Sequence, residues 1–388
     1  MTAGFEVAAV VEDALWAAAR ARLPAELLGG PALTAAVIDR SRRYTSERER
    51  LAAPGGERAT AADLAARALF FTVADAAKLH LPLRELAGVG DAAPVLPAPA
   101  GFLTGDVLRV LDVGAGCGAM TLGLCTFLAA RPAAPRLVVT LLDRDREALA
   151  LAERAVTAVA RALGLAIAVE VRAADVTAPL PRGGFDLVVA GSVLNELTAP
   201  APVAAAMIEV LAPAGVLIVV EPALRVTTRT LHAARDALIA GGHAVVLAPC
   251  TRREAPCPAL AAATDWCHDH RPLRLPPRAR QLAQVTGLRD GDMKLAYLAL
   301  CRPAAAPAAT AALRVVDDPH ATKGKLELTL CGAAGWIPAR LLKRHRGATN
   351  RDLERARRGD VLVIEPAPTA EAPELSAGAR VSHHTLPG

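Results

Sequence analysis

Apolar positions recur at three-and-four spacing through "FEVAAVVEDALWAAARARL" and again through "TAADLAARALFFTVADAAKLHLPLREL", with the turn "LLGGPALT" after the first. That period places one side of each segment in a core and predicts helices over residues 1 to about 90. The charged piece "DRSRRYTSERER" between them reads as a solvated helix face bearing Arg42, Arg43, Arg48 and Arg50, with a nucleic-acid contact as the alternative. Beyond the Pro-rich "DAAPVLPAPAGFLTGD" the rhythm changes. The apolar runs "VLRVLDV", "RLVVTLLD", "AIAVEVRAAD", "FDLVVAG" and "VLIVVEPAL" have the length of buried strands, and "AMTLGLCTFLAA", "REALALAERAVTAVARALG" and "PVAAAMIEVLAPAG" between them have helical character. Strands that alternate with helices predict an α/β fold with a mostly parallel sheet covered on both faces.

After Gly242 the pattern fragments. "HAVVLAPC" and "MKLAYLALC" read as short strands, and the stretch from "RVVDDPH" to "RGDVLVI" as several more with one charged helix, a small β-rich module. The final "APTAEAPELSAGARVSHHTLPG" has the composition of a disordered tail. The expected organisation is a helical region at 1–100, an α/β domain at 101–246, a cysteine-bearing segment with a basic module at 247–365, and the tail at 366–388.

Composition narrows the class. Of 388 residues 53% are hydrophobic, yet much of this is alanine and no run of about eighteen apolar residues is free of charge or turn formers, which predicts no membrane span. Glu6 and Glu12 interrupt the N-terminal apolar stretch and no basic segment precedes it, so the expectation is a cytoplasmic protein without a secretory signal, monomeric when free. Seven scattered cysteines are an odd number, which suits reduced thiols better than a disulfide framework. The formal charge of +5 is only a mild pull towards polyanions.

"LDVGAGCGAMT" sets Gly114, Gly116 and Gly118 between a strand and a helix, where backbone approaches a ligand closely. No lysine followed by serine or threonine closes the turn, which argues against a phosphate-binding loop. The leading Asp112 disfavours a pyrophosphate and suits a cationic group. Asp143 or Asp145 ends the next strand in place for ribose hydroxyls, Asp143 being the closer, and Asp175 ends the third strand near where an adenine would lie. This arrangement resembles class I S-adenosylmethionine-dependent methyltransferases. "GSVLNEL" follows the fourth strand and offers Ser192, Asn195 and Glu196, with Asn195 and Glu196 alternatively capping the next helix. No general base or nucleophile stands out.

Cys250, Cys257 and Cys267 lie in the Pro-punctuated "LAPCTRREAPCPALAAATDWCHDH" without the tight pair that marks a zinc ribbon. Their loose spacing suits an iron–sulfur cluster, with zinc as the runner-up and His268 and His270 as substitute ligands. Together with the glycine turn, "SVLNEL" and "KGKLELTLC", this segment resembles the Rsm22-like family of bacterial and mitochondrial proteins associated with the small ribosomal subunit. The resemblance implies a methyltransferase-type fold, association with small-subunit ribosomal RNA during assembly, and a four-cysteine 4Fe-4S site. Carried over, its ligands are Cys250, Cys257, Cys267 and a fourth that is Cys331, which follows the lysine–glycine signature, in preference to Cys301. The chain departs from mitochondrial members in keeping a full glycine turn, and it has threonine and arginine where a histidine often follows the first cysteine of the segment.

Lys323, Lys325, Arg340, Lys343, Arg344, Arg346, Arg351, Arg355, Arg357 and Arg358 concentrate charge beyond the cysteines around Trp336, a candidate phosphate-backbone contact. Three functions follow in order. The first is an assembly or translation factor that binds S-adenosylmethionine and ribosomal RNA, the second an active ribosomal RNA methyltransferase, the third a small-molecule or protein methyltransferase.

Overall fold

The computed structural model describes residues 4–46, 60–88, 93–289 and 291–384. The chain begins with β1 (Phe5–Glu6) and helices α1 (Ala9–Arg20) and α2 (Gly30–Thr45). A helical run follows: α3 (Ala61–Ala66), a π-helical stretch at Arg67–Thr72, α4 (Val73–Ala76) and α5 (His80–Ala87). Thr60 starts it, its hydroxyl accepting a 3.1 Å bond from the Asp63 amide.

The centre of the molecule is laid down by β2 (Val107–Val113), β3 (Arg136–Asp143), β4 (Ile167–Ala173), β5 (Phe185–Gly191) and β6 (Leu211–Pro222), all parallel to one another. Helices α6 (Ala119–Ala129), α7 (Arg146–Ala162) and α8 (Pro200–Glu209) connect them. Period-two alternation sends Leu108 and Val110 into the core beneath α6 and α7, and Leu111 and Val113 into the core on the other face. Both faces are therefore dry, as the continuous apolar strands predict.

The sheet does not stop at residue 246. After α9 (Arg225–Ala240) come β7 (Val245–Ala248), β8 (Asp269–Arg274), α10 (Pro277–Thr286) and β9 (Asp292–Cys301). β9 runs antiparallel beside β6 and carries β7 and β8 along its far side, and β1 closes that edge against β8. The order of the nine-stranded sheet is β1-β8-β9-β6-β5-β2-β3-β4, with β7 on β9. The expected boundary at 246 is thus corrected: three of the candidate ligand cysteines sit in and beside the β7–β8 connection of the central sheet, outside the C-terminal module.

That module is a second sheet of seven strands in the order β15-β13-β12-β10-β14-β16, with β11 on β12. Its strands are β10 (Leu313–Val315), β11 (His320–Ala321), β12 (Lys325–Gly332), β13 (Gly335–Leu342), β14 (Val361–Glu365), β15 (Glu374–Leu375) and β16 (Arg380–His384). Two expectations change here. The charged helix is replaced by short 3-10 turns at Lys343–His345 and Arg351–Arg355, because an i to i+4 ladder across Gly347 is never built. The 366–388 tail is not wholly disordered: β16 pairs with β14 from Val361–His384 to Glu365–Arg380 and buries Val381, and residues 385–388 lie outside the described part.

The arginine-rich piece of the N-terminal region is also not simply solvated. Arg43 is mostly covered and pairs with Asp39 and Asp63, both at 2.7 Å, whereas Arg48 and Arg50 lie outside the described residues. Among the described residues no helix is long and apolar enough to cross a membrane.

Candidate functional site

β2 pairs with β3 on one side and β5 on the other, so the chain's direction of travel through the sheet reverses between β2 and β5. The loops after these two strands part there, leaving a crevice at the carboxyl ends of the strands. The glycine turn follows β2 and the Ser192–Leu197 segment follows β5, so both sequence motifs flank one cleft. The N-terminal helices roof it with Arg40, Tyr44, Arg67 and Phe71.

The glycines do different jobs. At Gly114, φ is +67° and a Cβ would fall on a Val193 methyl, so the turn is pressed against the β5 loop. A Cβ on Gly118 would crowd Ala152 and Val156 of α7 at 3.2 and 3.3 Å, so that glycine serves helix packing. Gly116 alone of the three faces open space, with only the Arg67 guanidinium at 3.5 Å from where its Cβ would be, and it is the one at which a ligand can approach the backbone.

Asp143 is at the end of β3 with Oδ2 accepting from the Gly116 amide at 2.8 Å and Oδ1 from the Asp145 amide at 2.9 Å. Asp145 is occupied otherwise: it caps α7 through the Glu147 and Ala148 amides and pairs with Arg67 at 2.6 Å. Of the two carboxylates, both of which line the cleft, Asp143 is the one without an ion pair among the described residues. Asp175, exposed beyond β4, accepts from the Thr177 amide and hydroxyl, which hold it below the usual carboxylate range.

Asp112 is 1% exposed. Its Oδ2 accepts from the Thr121 hydroxyl at 2.7 Å and amide at 3.2 Å, whereas Oδ1 is buried with no hydrogen-bond partner. Burial is the main cause that lifts this carboxyl to about 6, with Thr121 opposing and Asp143 adding. A buried carboxylate oxygen left open on a cleft is costly, and a cationic group seated there would both satisfy it and restore its charge.

Ser192 lines the cleft in a left-handed conformation (φ 60°), its amide bonded to the Val220 carbonyl at 2.7 Å. Asn195 does not face a ligand with its amide nitrogen, which donates at 2.5 Å to Glu221 Oε2. Glu221 Oε1 accepts from the Leu194 amide at 2.8 Å, so this buried carboxylate holds the whole turn. Neither Asn195 nor Glu196 caps α8, whose N-cap is Ala199 without a side-chain bond; the capping alternative is corrected because a 3-10 turn at Leu194–Glu196 intervenes. Asp75, Lys78 and Arg67 line the cleft and Glu221 anchors its Leu194–Glu196 turn, and none of these four was singled out from sequence as a binding group. A carboxylate ending the apolar run "VLIVVE" is a legible signal for Glu221, whereas the others depend on how the helices cross the sheet.

Several other carboxylates of the cleft have partners. Asp63 takes Arg40 and Arg43, Asp75 takes Lys78 and Arg289, Glu147 takes Arg22, and Asp292 takes His270.

A second, much smaller cavity, of about 30 Å3, is lined by Cys250, Cys257, Cys267 and Cys331 together. Cys301 lies apart from it, fully buried at the end of β9. Burial and the neighbouring thiols push Cys257 and Cys331 up to about 12. Arg235, 0% exposed, reaches the same cavity and donates to the Arg252 and Ala255 carbonyls and to Asp236. His268 is stacked on Trp266, and His270 instead bonds Asp292. Trp336 lines this cavity and is not set among the basic residues as an exposed ring. Among the described residues no three His, Cys, Asp or Glu side chains converge tightly enough for a single metal ion.

The C-terminal basic residues are largely partnered: Lys325 and Arg340 with Glu327, Arg344 with Glu374, Arg346 with Glu354, Arg355 with Asp352, Arg358 with Asp318.

Among solved structures, a putative methyltransferase from Thermoplasma acidophilum is 14% identical over 50% of this chain and 68% of its own, with a TM-score of 0.33. A SAM-dependent methyltransferase from Aquifex aeolicus is 24% identical over 29% of this chain and 56% of its own, TM-score 0.23. The magnesium protoporphyrin IX methyltransferase of Synechocystis with bound SAH is 12% identical over 68% and 98%, TM-score 0.35. At TM-scores below 0.5 these likenesses carry no argument about substrate or activity. No curated protein matches. The family model described as "Mitochondrial small ribosomal subunit Rsm22" matches residues 107–363, from the first residue of β2 into β14 and so across the cleft loops after β2 and β5 and all four cavity cysteines. The chain belongs to the Rsm22 family.

Proposed function

We propose that this protein binds S-adenosylmethionine in the cleft at the β2–β5 switch point and transfers its methyl group to RNA of the small ribosomal subunit. The observation that carries the donor half is the unpartnered, buried Oδ1 of Asp112 beside the open Gly116 turn. The cationic methionine end of the donor satisfies that oxygen, the ribose hydroxyls meet Asp143, and the adenine lies towards Asp175. The RNA half rests on the family's name and on the basic character of the C-terminal module.

The four cavity cysteines are candidate ligands of a 4Fe-4S cluster in preference to zinc, because their spacing along the chain lacks the tight pair of a zinc ribbon. Cys250, Cys257, Cys267 and Cys331 would hold it, and the buried Arg235 guanidinium would balance their charge. Bound there, the cluster would act as a staple between the β7–β8 connection and β12.

The test uses the full chain purified without oxygen. Calorimetric titration should show S-adenosylmethionine binding that Asp143→Ala weakens, and labelled methyl should pass to the RNA of immature small subunits. About four irons per chain are expected, reduced by serine at any cavity cysteine and unchanged in Cys301→Ser. Absence of donor binding overturns the reading. Binding without label in RNA points instead to an assembly factor for which the donor is only a ligand, and one stoichiometric zinc would reject the cluster.

A further inference from the structure

Nine carboxylates line the cleft: Asp63, Asp75, Asp112, Asp143, Asp145, Glu147, Asp175, Glu196 and Asp292. Eight have the hydrogen-bond or ion-pair partners described above. Glu196 has neither among the described residues, although it is only part-exposed and the 3-10 turn that bears it is held rigidly by Glu221. Its surroundings are the charges of Arg40 and Arg67 from the roof, Arg144 beyond β3, and Asp143. Arg40 is engaged by Asp63 and Arg67 by Asp145, and among the described residues no ion pair joins Glu196 to Arg144.

A carboxylate kept free, half-buried and fixed on a rigid turn is a group reserved for something that enters. It lines the same cleft as the glycine turn, from the loop after β5 on the other side of the switch point. Building on the methyl-donor reading, we infer that Glu196 faces the methyl group being transferred and is the catalytic base for an acceptor that carries an N–H or O–H. The acceptor's lone pair forms the new bond to the methyl carbon as the carbon–sulfur bond breaks. The electron pair of that bond stays on sulfur, which becomes a neutral thioether. The proton lost by the acceptor passes to the Glu196 carboxylate, so charge and atoms balance without a further reactant. Burial raises the Glu196 carboxyl above its ordinary value, against the pull of the three arginines, which moves it towards the range of a useful base.

The test needs no acceptor. Sinefungin carries an amine-bearing carbon where S-adenosylmethionine has its methylsulfonium, whereas S-adenosylhomocysteine has nothing beyond the sulfur. Affinities of both ligands are measured calorimetrically for the full-length protein and for Glu196→Gln and Glu196→Ala. Both variants should lose about tenfold in affinity for sinefungin and stay within about twofold for S-adenosylhomocysteine, since only the amine reaches the carboxylate. Retained S-adenosylhomocysteine binding also shows that the variants fold. Asp143→Asn should weaken both ligands alike. Equal affinities of wild type and variants for sinefungin would overturn the assignment of Glu196 while leaving the donor site standing. Binding of neither ligand by the wild-type protein would overturn the donor-site reading and this one with it.

Discussion

Glu221 ends β6 with its carboxyl sealed from solvent, and burial is the main cause that lifts it from 4.5 to about 7, against the opposing bonds from Asn195 and Leu194. The sign of its contribution to stability follows from the protons bound. Below 4.5 both folded and unfolded chains hold the proton; between 4.5 and about 7 only the folded chain does, so the stability this group contributes falls as pH rises through that window. Glu221→Gln removes the titration. Relative to wild type, the variant should therefore gain about 3 kcal/mol between about pH 4.5 and about pH 7.5, read as the difference in urea unfolding free energies across that range. A difference that does not change with pH would show that Glu221 titrates normally despite its burial.

At the scale of elements, α4 and α6 approach each other backbone to backbone. A Cβ on Gly123 of α6 would fall on the Ala76 carbonyl oxygen, and just beyond, the His80 ring nitrogen lies 2.9 Å from the Gly123 carbonyl and from the Thr126 hydroxyl. Backbone cannot yield as a flexible side chain would. Gly123→Ala should cost at least about 1–3 kcal/mol by forcing the helices apart, even though alanine favours a helix intrinsically. Gly347→Ala, where nothing lies within 4 Å, should stay within about 0.5 kcal/mol. Chemical denaturation of the two variants side by side checks this. Because the helical run α3–α5 carries Arg67, Asp75 and Lys78 into the cleft, Gly123→Ala should also weaken donor binding.

On the scale of the molecule, the C-terminal sheet is tied to the rest by a buried ionic knot. Arg314 of β10 reaches Glu85 of α5 through two nitrogens at 2.6 and 2.8 Å, and also donates to the Pro249 and Gly359 carbonyls. The Tyr297 hydroxyl of β9 donates to the same Glu85 at 2.5 Å. Arg314→Met would strand the Glu85 carboxylate in the interior and should cost about 3–5 kcal/mol. Adding Glu85→Gln should recover part of that loss, since the stranded charge, more than the missing pair, is the penalty. Hydrogen exchange should show β10 and β14 opening before β2 and β3. Arg314 also lines the cysteine cavity, so the knot and the cavity occupy one junction.

Much of this was written in local sequence. The periods of β2 to β6 and of α6 to α8 are carried by neighbouring residues, and a glycine turn between a strand and a helix fixes its own place at a strand's carboxyl end, so the α/β core, the cleft loops and Asp112, Asp143 and Asp175 were legible without coordinates. The alternation of strands and helices does not say where later strands pair. That β7, β8 and β9 rejoin the central sheet, and that β16 completes the second one, is decided by hydrogen bonds between residues far apart in the chain. The same holds for the chemistry. Residue type marked the four cavity cysteines, but only the folded chain brings Cys331 to the other three and leaves Cys301 apart. Sequence likewise offered Asn195 and Glu196 as equals. Glu221, 26 residues from Asn195, engages the one and leaves the other free, because a carboxylate's role depends on which donors the fold places within reach.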